Sequence, residues 1–326
     1  MSQQIQLIST IDNSQLGQRL DQALSELFPE YSRSRIKEWI LAERVKVDGK
    51  IANKPKEKVF GGEAVEIDAI IEEESTFTAQ PIELDIVYED DHILVINKPR
   101  NLVVHPGAGN PDGTILNALL YRYPQFADIP RAGIVHRLDK DTTGLMVVAK
   151  SVPAQTRLVA ALQQRNVTRE YEAVVVGTMT AGGLVDKPIG RHSTKRTHMA
   201  VHPMGKPAIT HYRVMEHFRA HTRLRLRLET GRTHQIRVHM AHIMHPLVGD
   251  PLYGGRPRLP KGASEELVEC LRGFDRQALH ATMLRLTHPI TEEVMEWHRP
   301  IPEDMVQLID ALREDTKQFE EQMDWL

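Results

Sequence analysis

Apolar positions divide this chain into two stretches with different rhythms. Leu16, Leu20, Ala23, Leu24, Leu27 and Phe28 recur at helical spacing, and Pro29 stops the pattern. Ser32 stands where it can cap a second helix containing Arg33, Arg35, Ile36, Lys37, Trp39 and Ile40. Val45-Lys46-Val47 and Ile51 flank Asp48-Gly49, a strong hairpin signal, and Val65 and Ile67 alternate in one further strand. Residues 16–67 therefore read as a small module behind a tail over residues 1–15. Residues 68–82 hold Glu72-Glu73-Glu74 and Pro81 with few large apolar groups, the composition of an acidic linker.

A larger domain is expected over residues 83–302. Leu84, Ile86 and Val87 predict one strand and Ile93-Leu94-Val95-Ile96 another, with Glu89-Asp90-Asp91 as the turn. Thr114 to Leu120 and Pro153 to Arg165 have helical spacing, and Tyr171 to Val176 reads as a strand. Arg223-Leu224-Arg225-Leu226-Arg227-Leu228 alternates strictly, so its leucines should face a core and its arginines solvent. A helix follows, with Thr233 as candidate N-cap. Gly190 to Gly205 reads as a long basic loop or hairpin, and residues 261–276 as a polar insert. Residues 303–326 are acidic and amphipathic in places, which predicts a terminal helix and a frayed tail.

The net charge of −3 hides a sorting of charge along the chain. Residues 131–260 carry 21 Lys/Arg against 8 Asp/Glu, and the rest of the chain carries 20 against 36. Most of those 21 are arginine, the residue suited to bidentate phosphate contact, so one face for a polyanion is expected. The first module adds nine basic against four acidic residues between Tyr31 and Lys58. Hydrophobic content of 41% with 26% charged residues is that of a soluble globular protein. No apolar run reaches the length of a membrane helix, and Met1 to Ile11 lacks the basic-then-apolar order of a signal peptide. The single cysteine, Cys270, excludes an internal disulfide. These features predict a cytoplasmic protein.

The densest polar cluster is His136-Arg137-Leu138-Asp139-Lys140-Asp141-Thr142-Thr143-Gly144, set between Ile134-Val135 and the apolar run Leu145 to Ala149. Loops held by a rigid scaffold carry chemistry, although such a cluster also fits a solvated turn with Gly144 at positive φ. Asp139-Lys140-Asp141-Thr142-Thr143 matches the Asp-x-Asp-x-Thr signature of phosphatases of the haloacid dehalogenase type. That site needs Mg²⁺ and a later acidic pair, and no adjacent carboxylates occur between Gly144 and Gly249. His239, His242 and His245 rotate around a helix without a carboxylate partner, so no metal site is expected. The glycines after His105-Pro106 are not followed by Gly-Lys-Ser/Thr and form no P-loop. A non-catalytic RNA-binding or ribosome-assembly factor is the other alternative, and it predicts binding without turnover.

Four blocks stand in order: Gly133 to Gly144, Arg169-Glu170-Tyr171, Thr230-Gly231-Arg232-Thr233-His234-Gln235-Ile236-Arg237, and Leu279-His280-Ala281 with His288-Pro289. Together they resemble the RluA-type RNA pseudouridine synthases over about Ile82 to Pro300. The first module, with RLDQAL, SRSRIKEWI and VKVDGK, resembles an S4 RNA-binding domain. The combination is similar to the branch of the family that acts on large-subunit (23S) ribosomal RNA. One departure is Arg100-Asn101 after Lys98-Pro99, where the family usually has a small residue and Gly.

The resemblance implies an α+β fold, with a mixed, largely antiparallel central sheet and flanking helices behind the S4-like domain. It implies an enzyme that isomerises uridine to its C-glycoside without metal or organic cofactor and supports large-subunit maturation; nothing in the sequence suggests an obligate dimer, so a monomer is expected. Asp139 would be the catalytic carboxylate, with Arg237 pairing to keep it ionised. Tyr171 would stack on the uracil and take the C5 proton. The target base must leave its stack, and Arg137 would fill the vacated space while His136 supports the loop. Ile236 and Leu284 are expected as apolar walls of the uracil pocket. Arg232 and, from the first module, Arg33, Arg35 and Lys37 are expected to contact RNA.

Overall fold

A computed structural model of the chain describes residues 3–29, 31, 33–71, 77–107, 109–195 and 197–323. Backbone contacts divide it into two units, Met1–Thr76 and Phe77–Leu326.

The first unit contains β1 (Gln3–Thr10), α1 (Leu20–Leu27), α2 (Arg33–Leu41), β2 (Val45–Val47), β3 (Lys50–Ala52) and β4 (Ala64–Ile71). The strands form an antiparallel sheet in the order β1-β4-β2-β3. The helical apolar stripe does face a core: Leu20, Leu24, Ile36, Trp39 and Ile40 pack on Val45, Val65 and Ile67. The expected N-terminal tail is instead a strand from Gln3, paired with β4 from Gln3↔Ile71 to Thr10↔Ala64. Ile5 and Leu7 alternate with glutamines and pack against that core, a short period-two pattern that the polar start of the chain conceals. Residues 68–71, expected in the linker, belong to β4. Ser32 and Glu72-Glu73-Glu74 lie outside the described residues.

The second unit is built on β5 (Asp85–Glu89), β6 (Ile93–Lys98), α3 (Ile115–Arg122), β7 (Thr143–Ala149), α4 (Val152–Gln163), β8 (Thr168–Val176), β9 (Gly183–Asp186), β10 (Ile189–Arg191), β11 (Met199–Val201), β12 (Ile209–His217) and β13 (His221–Leu228). It continues with α5 (Gln235–His242), α6 (Glu265–Gly273), β14 (Leu279–Thr287), β15 (Val294–His298) and α7 (Glu303–Met323). Its large sheet runs β5-β6-β7-β14-β8-β13-β12-β9, with β15 also on β14. Each of its pairings is antiparallel except β7 with β14. This is the expected α+β architecture with a mixed sheet. The leucines of β13 are buried and Arg225 and Arg227 are exposed, as their alternation predicts.

Two boundaries differ from the sequence reading. The supposed insert contains α6, whose Leu267 and Leu271 pack on Met305, Leu308, Ile309 and Leu312 of α7. The C-terminal helix is thus part of the unit's core, because its apolar face has a partner. At the other end, the Gln80 N–H donates to the Asn117 carbonyl at 3.0 Å, so the chain before β5 is already tied to α3.

Candidate active site

The polar cluster from His136 to Thr142 is a loop that enters β7, and a glycine stands at each end. Gly144 has φ +115° and lies in the parallel pairing of β7 with β14, where it faces Ala281. A Cβ there would overlap the Ala281 backbone. Gly133, at φ +78°, abuts the Ala149 carbonyl oxygen in the same way. Both positions exclude side chains because another backbone comes too close.

Between them the loop is bonded from below. Lys98, at the end of β6, is buried and donates to the carbonyls of Pro99, Leu102 and Lys140, each at 2.8 Å. Burial pushes its pKa down to about 7, against the opposing pull of the Asp141 and Asp139 charges. The Asp139 carbonyl accepts from the Thr142 N–H at 3.1 Å, and the Asp141 carbonyl accepts from Arg276 Nη1 at 3.1 Å. The Asp141 carboxylate accepts the Asn101 N–H at 3.0 Å and does not border the cleft. Asn101 has φ +60°, a conformation asparagine tolerates, which accounts for the departure at Arg100-Asn101.

This loop forms one wall of a cleft of about 1010 Å³. Asp139, Tyr171, Ile236 and Arg237 all border it, as do His136, Arg137 and Arg232. Arg237 Nη1 lies 3.0 Å from Asp139 Oδ2. Its Nε and Nη2 make a bidentate pair with Asp250, at 2.7 and 2.9 Å. Burial alone would lower the Arg237 pKa, but its bonds to Asp250 and the Asp139 charge raise it, so the guanidinium stays charged. Tyr171 is buried on β8, and its hydroxyl bonds to no described residue. Burial pushes its phenol pKa up while the Arg169 charge pulls the other way.

The other expected residues divide by position. Arg137 is exposed at the loop tip and makes no hydrogen bond or ion pair with the described residues. His136 supports the loop: its Nε2 accepts the Val147 N–H at 3.1 Å. Arg232 Nε donates to the Pro207 carbonyl at 3.0 Å. Leu284 is not a wall. It is buried among Val95, Val147, Leu158 and Leu286, and β14 contributes Leu279 to the cleft instead. Five positions separate Leu279 from Leu284, so strand alternation sends them to opposite faces of β14. In the first unit Arg33 bonds the buried Asp21 through two nitrogens at 3.2 Å, so it serves its own module. Arg35 is half-buried and Lys37 exposed on the same helix. The helix after β13 begins at Gln235 with His234, not Thr233, as its cap residue.

Sequence reading missed Asp250 and Tyr253. Asp250 is the fully buried carboxylate that fixes Arg237. The Tyr253 ring lies under that guanidinium, 5.1 Å from Cζ, and its hydroxyl meets His234 Nδ1 at 2.7 Å and the Met199 N–H at 2.9 Å. Met199 belongs to the β10–β11 hairpin, the expected basic hairpin, and pairs with Arg191 beside its loop, so the loop end of the hairpin is bonded to the site. The available signal was Gly249-Asp250-Pro251, a turn that places a carboxylate among apolar residues.

A carboxylate held by a permanently charged arginine beside an aromatic ring in a basic cleft suits chemistry on a base extruded from RNA. Residues 92–242 match the family described as RNA pseudouridylate synthase, and residues 18–65 match the S4 domain. The chain belongs to the RNA pseudouridine synthases, and it is an enzyme of that class. More particularly, it is 77% identical to the ribosomal large subunit pseudouridine synthase D of Yersinia pestis and 74% identical to that of Escherichia coli K12, with 100% of each chain covered. Among solved structures it is similar to human RNA pseudouridylate synthase domain containing 4. That likeness has 27% identity and a TM-score of 0.54, covering 70% of this chain and 93% of the other.

Proposed function

We propose that this enzyme isomerises specific uridines to pseudouridine in large-subunit (23S) ribosomal RNA, free or in a pre-50S particle, acting as a monomer with Asp139 as the catalytic carboxylate. The observation that carries the assignment is the Asp139–Arg237 pair at 3.0 Å beside Tyr171 in the cleft. Full-length relatives named for the large subunit support the choice of RNA. The N1–C1′ bond breaks, the uracil turns, C5 joins C1′, the C5 proton leaves and N1 gains one. No electron or group is gained overall, so the residues present suffice for the chemistry. Attack on C1′, attack on C6 and removal of a sugar proton all require one ionised carboxylate beside the glycosidic bond. Arg137, exposed and unpaired among the described residues, fills the place of the flipped base. Tyr171 stacks on the uracil and accepts the C5 proton. Arg35 and Lys37 contribute from the S4 domain.

Asp139→Asn keeps size but removes the charge and the basic oxygen. It should abolish single-turnover pseudouridine formation while filter-binding affinity for the RNA stays within about threefold, since phosphate contacts dominate affinity. Asp141→Asn should be far milder, because that carboxylate bonds Asn101 outside the cleft. Near-normal turnover in folded Asp139→Asn refutes the assignment.

A further inference from the structure

We propose that Arg169 is the seat of a phosphodiester group of the bound RNA, with the Nδ1–H of His136 as a second donor in the same cleft. The assignment rests on the proposed RNA substrate. Three arginines are buried among the described residues: Arg169, Arg237 and Arg276. Arg237 is paired with Asp139 and Asp250, and Arg276 with Asp304. Arg169 is 7% exposed, borders the cleft, and has no ion pair with any described residue. Its Nε is buried without an acceptor. The carboxylates that line the cleft are committed elsewhere: Asp139 to Arg237, and Glu229 to Arg165 and His211. A buried charge left uncompensated is costly, so this one calls for an anion from outside the chain.

The guanidinium is positioned. A Cβ on Gly231 would stand 2.8 Å from Arg169 Nη1, so the glycine leaves the space the side chain occupies. Along β8, Arg169 and Tyr171 are buried while Glu170 and Glu172 between and beyond them are half-buried, so the cation lies on the same side as the ring. His136 supplies a further unmet donor. Its Nε2 accepts the Val147 N–H, burial keeps the ring neutral, and the proton therefore resides on Nδ1. That nitrogen is buried and faces no acceptor among the described residues. A uracil carbonyl could take a hydrogen bond here but would leave the arginine charge unbalanced. A phosphodiester supplies both acceptor oxygens and one negative charge, and an extruded nucleotide brings its phosphate with it.

The test uses the full chain with large-subunit RNA. Arg169→Gln should raise the dissociation constant about tenfold and lower the slope of log affinity against log salt by about one, with the single-turnover rate at saturating RNA within about threefold of wild type. Gly231→Ala, which crowds Nη1 without removing the charge and sits at an exposed loop position, should raise the dissociation constant in the same direction by less. It gives the answer if Arg169→Gln fails to fold. Unchanged affinity and salt slope in a folded variant overturn the proposal. So does a lost saturated rate with affinity kept, which places the cation on the uracil instead. If wild type leaves large-subunit RNA unmodified, the proposed function fails, and a null result confined to the variants leaves that function standing.

Discussion

At the scale of single residues, the decisive arrangement is one arginine between two carboxylates of unequal exposure. Asp250 is fully buried and holds Arg237 by two bonds, which leaves one guanidinium edge for Asp139 at 3.0 Å. Asp250 therefore acts through Arg237 as a positioning residue. Asp250→Asn leaves a buried cation half-compensated. It should cost about 3–5 kcal/mol of stability and reduce the saturated turnover rate more than RNA affinity. Chemical denaturation beside single-turnover kinetics reads both, and a variant with full turnover shows that Arg237 needs no second anchor. The Asp139–Arg237–Tyr171 set could be picked out from four motif blocks, because those residues sit within dense local patterns. Asp250 was not, since the Gly249-Asp250-Pro251 turn signals a carboxylate among apolar residues but not the guanidinium, 13 positions earlier, that it meets.

At the scale of elements, the loop that carries Asp139 is positioned by backbone proximity as much as by side chains. Gly144 brings β7 against β14, and Gly144→Ala must both strain φ, at about 1–3 kcal/mol, and part the strands. It should lower the melting temperature and the turnover rate together. Gly273→Ala, at the end of α6 with open space around it, should leave both within error. Calorimetry with the turnover assay checks the pair. Strand and helix identity was largely legible: alternation found β13, and helical spacing found α1, α2 and α4. Partners were not. The strand β1 was hidden because its pairing residues lie some sixty positions away in β4, and Leu284 was misplaced because an apolar strand residue does not reveal which face of its sheet carries the cleft.

At the scale of the molecule, three histidines with a buried, unbonded ring nitrogen tie stability to acid. Burial lowers His136 to about 3 and both His221 and His280 to about 4. Unfolded, each titrates near 6.5, so below that pH the unfolded chain binds more protons. The stability from keeping them neutral is complete above pH 6.5 and drains away as pH falls toward 4. The melting temperature should drop over that interval, and His221→Leu should flatten the drop; an unchanged profile contradicts the linkage. The two units offer a separate test. Residues 77–326 hold their own core, and a fragment of that span should fold, bind large-subunit RNA more weakly, and still turn over at saturating RNA. A folded but inactive fragment shows that catalysis depends on the S4 domain.

The parallel seam between β7 and β14 also orders events in time. Thr143 and His280, bonded across it, lie 137 positions apart, and Arg276 and Gln277, which bond the Asp141 carbonyl and the Thr142 hydroxyl, are equally late. A nascent chain emerging at about 5–20 residues per second exposes Asp139 long before any of these partners exists. Closing so long a loop is slow compared with forming local hairpins. The enzyme is therefore silent through most of its own synthesis, and its activity switches on only when the last strands of the sheet have been made.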